Sequence, residues 1–147
     1  MTAPAPAPPT SSIIRPALAL LAGLGITALI VGPAILATTL FMLRGVADPR
    51  AFVPSASGLV LHLAITCVGA YAGGFVTSRL TAGRSFYTTF VLALVLFTSA
   101  MVPVLRGADP AAAPRPRWFL VAQAAIVLGV SLLGGALERR RAATRRT

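Results

Sequence analysis

The polar side chains that interrupt long apolar stretches are the first places to look for chemistry in this sequence. Polar groups inside a bilayer are costly, and His62 also titrates near neutral pH. With both termini on the inner side, a set of polar residues falls in the outer half of the membrane. The set comprises His62, Gln123, Thr38, Thr39, Thr98 and Ser99. One interpretation is a polar cavity that opens outward. The other, which we favour, is that each group is satisfied locally, with hydroxyls bonding back to their own helices.

The residue inventory argues against several kinds of catalytic site. Cys67 and His62 are each the single residue of their type, so neither a bis-histidine haem site nor an intramolecular disulfide is available. The acids Asp48, Asp109 and Glu138 lie outside the apolar stretches, which argues against proton transfer through an intramembrane carboxylate. The sequence contains no HExxH, Gly-x-Ser-x-Gly or Walker-type motif. We therefore expect no catalytic, cofactor-binding or metal-binding residues, and no enzymatic activity.

Four apolar stretches must position these polar residues. They lie at about 16–43, 57–78, 86–105 and 118–137. A helix rises ~1.5 Å per residue, so ~20 residues match the ~30 Å hydrocarbon core of a bilayer. The sequence therefore predicts an all-α integral membrane protein with four transmembrane helices in a single domain, residues 13–138.

The composition supports membrane insertion and argues against a nucleic-acid partner. Of the 147 residues, 56% are apolar and 11% charged, which is too little charge to cover a soluble domain. All thirteen basic residues are arginine, and the net charge is +10. In a soluble protein that charge would suggest nucleic acid. Here the arginines lie at the ends of the apolar stretches and in a basic tail, 139–147, where they would attract anionic lipids.

The distribution of arginines predicts the orientation. Four spans place both termini on one side, which would carry eight arginines, against five on the other. The eight are Arg15, Arg79, Arg84, Arg139, Arg140, Arg141, Arg145 and Arg146. Arginine is enriched on the cytoplasmic side, so both termini are predicted to be cytoplasmic. Residues 1–12, rich in Ala and Pro, are predicted to form a disordered cytoplasmic lead.

The two outer loops resemble each other and indicate an internal repeat. Residues 43–49 read LRGVADP and residues 105–110 read LRGADP, and the following spans align at an offset of 61. His62 then matches Gln123, and the Gly-Gly pair at 73–74 matches the pair at 134–135. We interpret this as a duplicated helical hairpin, with the copies related by a pseudo-two-fold axis along the membrane normal. The alternative is coincidence in a chain rich in Ala, Leu, Val and Gly.

Small residues at helical spacing predict the helix contacts. Without water to drive association, membrane helices approach closely where side chains are small. The residues predicted to pack are Gly69, Gly73, Gly74, Ser131, Gly134 and Gly135. Ala28 and Gly32 offer a similar face on the first span. The spacing does not tell whether the partner is another span or another subunit.

The second span and the turn after it resemble a known pattern. The residues are Gly73-Gly74-Phe75-Val76-Thr77-Ser78-Arg79-Leu80, followed by Gly83-Arg84. This segment is similar to one in small, uncharacterised four-helix membrane proteins of bacteria, in which a Gly-rich helix ends before a basic turn. The resemblance implies a bacterial inner-membrane location and transfers no activity or site residue.

The sequence thus leaves two main functional hypotheses. The first is a non-enzymatic structural or accessory subunit that acts through helix–helix contacts, as a homo-oligomer or with another membrane subunit. The second is a small oligomeric transporter or channel that uses the outer polar residues around His62 and Gln123. An intramembrane enzyme ranks last, because no spacing pairs His62 with a nucleophile.

Overall fold

The computed structural model describes residues 11–44, 54–82, 86–106 and 116–145, with side chains from Ile14 onward. They form four helices: α1 (Ser11–Met42), α2 (Ala56–Leu80), α3 (Phe86–Arg106) and α4 (Arg117–Thr144). Most of the predicted lead and both repeat loops lie outside the described residues. Two bounds differ from prediction by more than two residues. α1 already begins at Ser11, inside the predicted lead, and α4 continues seven residues beyond 137 into the basic tail.

Local chemistry explains where α2 begins and ends. The Ser55 side chain accepts a hydrogen bond from the backbone N–H of Gly58 at 3.2 Å, which caps the first turn. At the other end, the N–H of Thr81 donates to the oxygen of Thr77 at 3.2 Å. Ala82 follows with a φ of 53°, the left-handed conformation that commonly terminates a helix. The short connection to α3 therefore starts from a defined helix end.

The helices pack so that α2 contacts each of the other three. α4 packs against α2 and α3, and α1 packs against α2 and, less extensively, α3. A two-fold axis along the membrane normal would pair the α2–α3 contact with an α1–α4 contact. Within the described ranges, α1 and α4 share no close Cα pair. The pseudo-two-fold axis is therefore not confirmed, and both the axis and the hairpin duplication stay predictions from the sequence.

The outer surface of the bundle is strongly apolar. Large side chains such as Leu29, Phe41 and Leu105 are 69%, 71% and 81% exposed. By contrast, the buried side chains of the described residues include eight polar or charged ones. This arrangement suits lipid as solvent, because lipid covers apolar side chains while helix contacts satisfy polar ones. All four helices are long and apolar enough to cross a membrane, which supports a multi-pass membrane protein.

Candidate functional site

The closest approach between α1 and α2 is built from glycines and threonines one turn apart. The Thr27 hydroxyl lies 2.9 Å from the oxygen of Gly23 in its own helix and 3.2 Å from the oxygen of Gly69 on α2. A Cβ added at Gly73 would lie only 2.8 Å from the Gly23 oxygen. The Thr77 hydroxyl donates to the oxygen of Ala19 at 3.2 Å. Backbone contact and interhelical hydrogen bonds thus occur on the same face.

The contact between α2 and α4 is a backbone-to-backbone approach. A Cβ added at Gly74 would collide with the backbone of Ser131, whose Cα would be 3.1 Å away. One added at Gly134 would collide with the backbone oxygen of Tyr71 and lie 3.2 Å from the nitrogen of Phe75. Backbone atoms cannot rotate away as a flexible side chain can. These two glycines therefore determine how closely α2 and α4 approach.

Gly135 lies where α2, α3 and α4 meet. The Ser78 hydroxyl on α2 donates to the Gly135 oxygen at 3.1 Å. Thr89 on α3 packs against the same glycine, and its Oγ1 would be 3.0 Å from an added Cβ. The hydroxyl oxygens of Thr89 and Ser131 are buried without a hydrogen-bond partner in the described structure. Buried hydroxyl groups therefore lie together where these three helices meet.

The structure brings all six predicted packing residues into helix contacts within the chain. Gly69 and Gly73 face α1, Gly74 and Gly134 form the α2–α4 contact, and Gly135 faces Thr89. The small residues proposed for α1 behave differently. Ala28 and Gly32 are exposed, and a Cβ added at Gly32 would meet no atom within 4 Å. On α1, the residues that pack against α2 are instead Gly23 and Thr27.

Three of the four hydroxyls in the predicted outer set bond to their own helices. Thr98 donates to the oxygen of Leu94 and Ser99 to that of Val95, both at 2.8 Å, and both side chains are exposed. Thr38 bonds to the oxygen of Ala34 one turn back, and Thr39 is exposed. This is the local arrangement that we favoured from the sequence. The exposed hydroxyls of Thr39, Thr98 and Ser99 face the outside of the bundle.

His62 and Gln123 lie on neighbouring helices in the half of the bundle remote from the chain termini, and both are half-buried. The His62 ring packs edge-on against the ring of Phe119, with centroids 5.4 Å apart. Phe119 is fully buried and lies one turn before Gln123 on α4. The α2–α4 contact therefore brings His62 into the same region as Gln123 and gives the imidazole a packing role.

Two residues near the C-terminal end of α4 were not identified as packing residues from the sequence. Glu138 follows the predicted end of the fourth span, yet it is only 5% exposed. Arg139 carries its guanidinium over the Phe86 ring, with Cζ 4.5 Å from the centroid. Glu138 shares a helix face with Ser131 and Gly134, spaced by seven and four residues. Extending the small-residue pattern by one turn would have found the burial of Glu138.

Comparisons with protein-family models, with curated proteins and with solved structures find no match to this chain. The described residues contain no group of three His, Cys, Asp or Glu side chains that could hold a metal ion. The geometry of the helix contacts therefore carries the functional argument.

Proposed function

We propose that this protein is a non-enzymatic accessory subunit of a bacterial inner membrane, with four spans and both termini cytoplasmic. It acts through helix contacts made by the outer face of α1. The observation that carries this proposal is the open space at two exposed glycines. A Cβ added at Gly25 or Gly32 would meet no atom within 4 Å, whereas Gly23 on the same helix is tightly packed.

The two sets of small residues lie on opposite faces of α1. At about 100° per residue, Gly25, Ala28 and Gly32 are centred roughly 150° from the Gly23 and Thr27 face. The Gly23 and Thr27 face is covered by α2. The outer face is flanked by large exposed side chains, with Leu21 65% and Leu29 69% exposed. Small residues between large ones leave a shallow groove along the helix.

Such a groove fits another transmembrane helix. Packing against glycine allows close backbone approach, and in lipid this van der Waals contact is a main source of helix association. α1 is also the least buried of the four helices, and α4 does not contact it within the described residues. The occupant that we propose is a transmembrane helix of another subunit, either a different protein or a second copy of this chain.

The orientation and the repeat are part of the same proposal. Eight arginines on the terminal side against five on the other support cytoplasmic termini, and the resemblance of the second span supports a bacterial inner membrane. The matched LRGVADP and LRGADP loops support two tandem hairpins that arose by duplication. The α2–α3 contact, which has no α1–α4 counterpart in the described ranges, then reflects later divergence.

The test uses cysteine crosslinking in native membranes. Cys67→Ala first removes the native thiol, and Ala28→Cys then places one on the proposed face. We expect this thiol to form a crosslinked species that the double variant Gly25→Leu/Gly32→Leu reduces at least tenfold. Gly129→Leu is the matched control, because Gly129 is also exposed and open but lies on α4.

Two results would overturn the proposal: no crosslink at Ala28→Cys, or a crosslink that survives the Gly25 and Gly32 substitutions unchanged. Circular dichroism of the purified variants confirms that the bundle itself is intact. Gly69 and Gly73 are unsuitable for this test, because their replacement disrupts the α1–α2 contact within the chain.

A further inference from the structure

The groove between α3 and α4 holds an arginine at its inner end. Gly135 on α4 and Thr89 on α3 pack against each other, so the two antiparallel helices are close at this level. One turn further towards the inner end, α4 carries Arg139 and α3 carries Phe86. The Arg139 Cζ lies 4.5 Å from the centroid of the Phe86 ring. The close contact between Gly135 and Thr89 therefore brings Arg139 and Phe86 together, and the ring contact holds the guanidinium in place.

The Arg139 side chain still has hydrogen-bonding capacity. A cation–π contact uses the flat face of the guanidinium and leaves its N–H groups at the edge. The Nε atom of Arg139 is buried and has no hydrogen-bond partner in the part of the chain that the structure describes. A buried donor without a partner is costly, and a positively charged one favours an anionic acceptor.

The surrounding charge also favours an anion. Arg79, Arg140 and Arg141 are exposed at the same end of the bundle. Arg141 lies on the opposite side of α4, with its Cζ 6.0 Å from the Phe75 ring. Glu138 is the one acid in the described ranges, and it is buried. At this end of the bundle the described arginines therefore outnumber the acid, and an anion at the mouth of the groove meets a net positive charge.

An apolar strip runs directly below the guanidinium on α3. Phe86 is 49%, Tyr87 74% and Phe90 40% exposed, and the Phe86 and Phe90 rings are 6.2 Å apart. Tyrosine, here Tyr87, is enriched at the level of the lipid headgroups. A ligand with an anionic head and apolar chains could contact both the Arg139 guanidinium and the aromatic strip. Free phosphate would contact only the guanidinium.

We propose that Arg139 and Phe86 form a binding site for an anionic phospholipid at the inner end of the α3–α4 groove, with the guanidinium bound to the phosphodiester. This site rests on the proposal that the chain spans the membrane, but it is independent of the α1 contact. It differs from a general attraction of the basic tail to the membrane, because one ordered arginine carries most of the selectivity.

The experiment compares substitutions of two neighbouring arginines, each of which removes one positive charge. The full chain, Arg139→Gln and Arg140→Gln are reconstituted in phosphatidylcholine with increasing phosphatidylglycerol, and the bound lipid is counted by native mass spectrometry. We expect Arg139→Gln to weaken phosphatidylglycerol retention about tenfold, because it removes a charge-assisted bond. Arg140→Gln, which is exposed, should weaken retention about twofold or less.

Two further variants test whether lipid binding needs the planar guanidinium held against Phe86 or only a positive charge at position 139. Arg139→Lys keeps the charge but removes the planar guanidinium, and should lose most of the retention. Phe86→Leu keeps an apolar side chain but frees the guanidinium, and should weaken retention severalfold. If Arg139→Gln fails to fold, Phe86→Leu still tests the proposed site. Circular dichroism monitors folding, and the Ala28→Cys crosslink should stay unchanged in every variant.

The proposal is overturned if Arg139→Gln and Arg140→Gln weaken lipid retention equally, since the tail charge alone would then explain binding. It is also overturned if the Phe86→Leu and Arg139→Lys variants both retain phosphatidylglycerol like the unmodified chain. A third arm adds inorganic phosphate. Full displacement of the lipid by millimolar phosphate would show a site for free phosphate and refute the assignment to a phospholipid.

Discussion

Thr77 on α2 donates a hydrogen bond to the backbone oxygen of Ala19 on α1 at 3.2 Å, and its side chain is completely buried. Its own Cα lies one turn beyond Gly73, so the bond forms where the two backbones are already close. Gly73 allows the two helices to approach closely, and Thr77 forms a hydrogen bond across the contact. Interhelical attraction between α1 and α2 therefore depends on both residue types together.

Replacing Thr77 with valine tests the value of this bond. Valine keeps the shape of the side chain and removes the hydroxyl, so we expect a loss of about 0.6–1.7 kcal/mol in the free energy of unfolding. The measurement is reversible unfolding in mixed micelles, followed by circular dichroism. Thr98→Val is the control, because Thr98 is exposed and bonds only to Leu94 of its own helix in the described structure. Equal effects of the two substitutions would contradict the role given to Thr77.

Alanine at Gly74 or Gly134 should destabilise the bundle by about 1–3 kcal/mol, because the added methyl meets backbone atoms that cannot rotate away. Gly58→Ala should cost less, since it meets the flexible end of Met42. Gly129→Ala enters open space and should cost nothing or stabilise slightly. The same unfolding measurement ranks all four variants. A loss at Gly129 as large as that at Gly74 would refute the contact-based explanation.

The helices could be predicted from the sequence because each is a long uncharged apolar run. The contacts of α2 and α4 could also be predicted, since Gly-Gly pairs there bring backbones together whichever neighbour they face. α1 shows the limit of this reasoning. It is apolar on all sides, so spacing alone does not distinguish the packed Gly23 from the open Gly32.

The polar residues were harder to interpret for a different reason. A threonine or serine in a helix can bond to its own preceding turn or across to a neighbour, and the sequence is the same in both cases. Thr98 takes the first option and Thr77 the second. The burial of Glu138 depends on helix α4 continuing beyond the apolar run.

The predicted orientation can be tested by shifting the arginine balance. Replacing Arg140, Arg141 and Arg145 with glutamine lowers the number on the terminal side from eight to five, equal to the other side. Because arginine near the span ends sets orientation, we expect the unmodified chain to insert in one orientation and this triple variant to insert in both. The measurement is labelling of Thr144→Cys with a membrane-impermeant reagent, in a Cys67→Ala background.

The control removes three arginines from the opposite side. Replacing Arg44, Arg106 and Arg117 with glutamine enlarges the bias, so Thr144→Cys should stay protected in sealed cells, as in the unmodified chain. If Thr144→Cys is labelled from outside in the otherwise unmodified chain, the termini lie on the outer side. The Arg139 site would then face the outer leaflet, so this measurement also determines which leaflet must supply the anionic lipid.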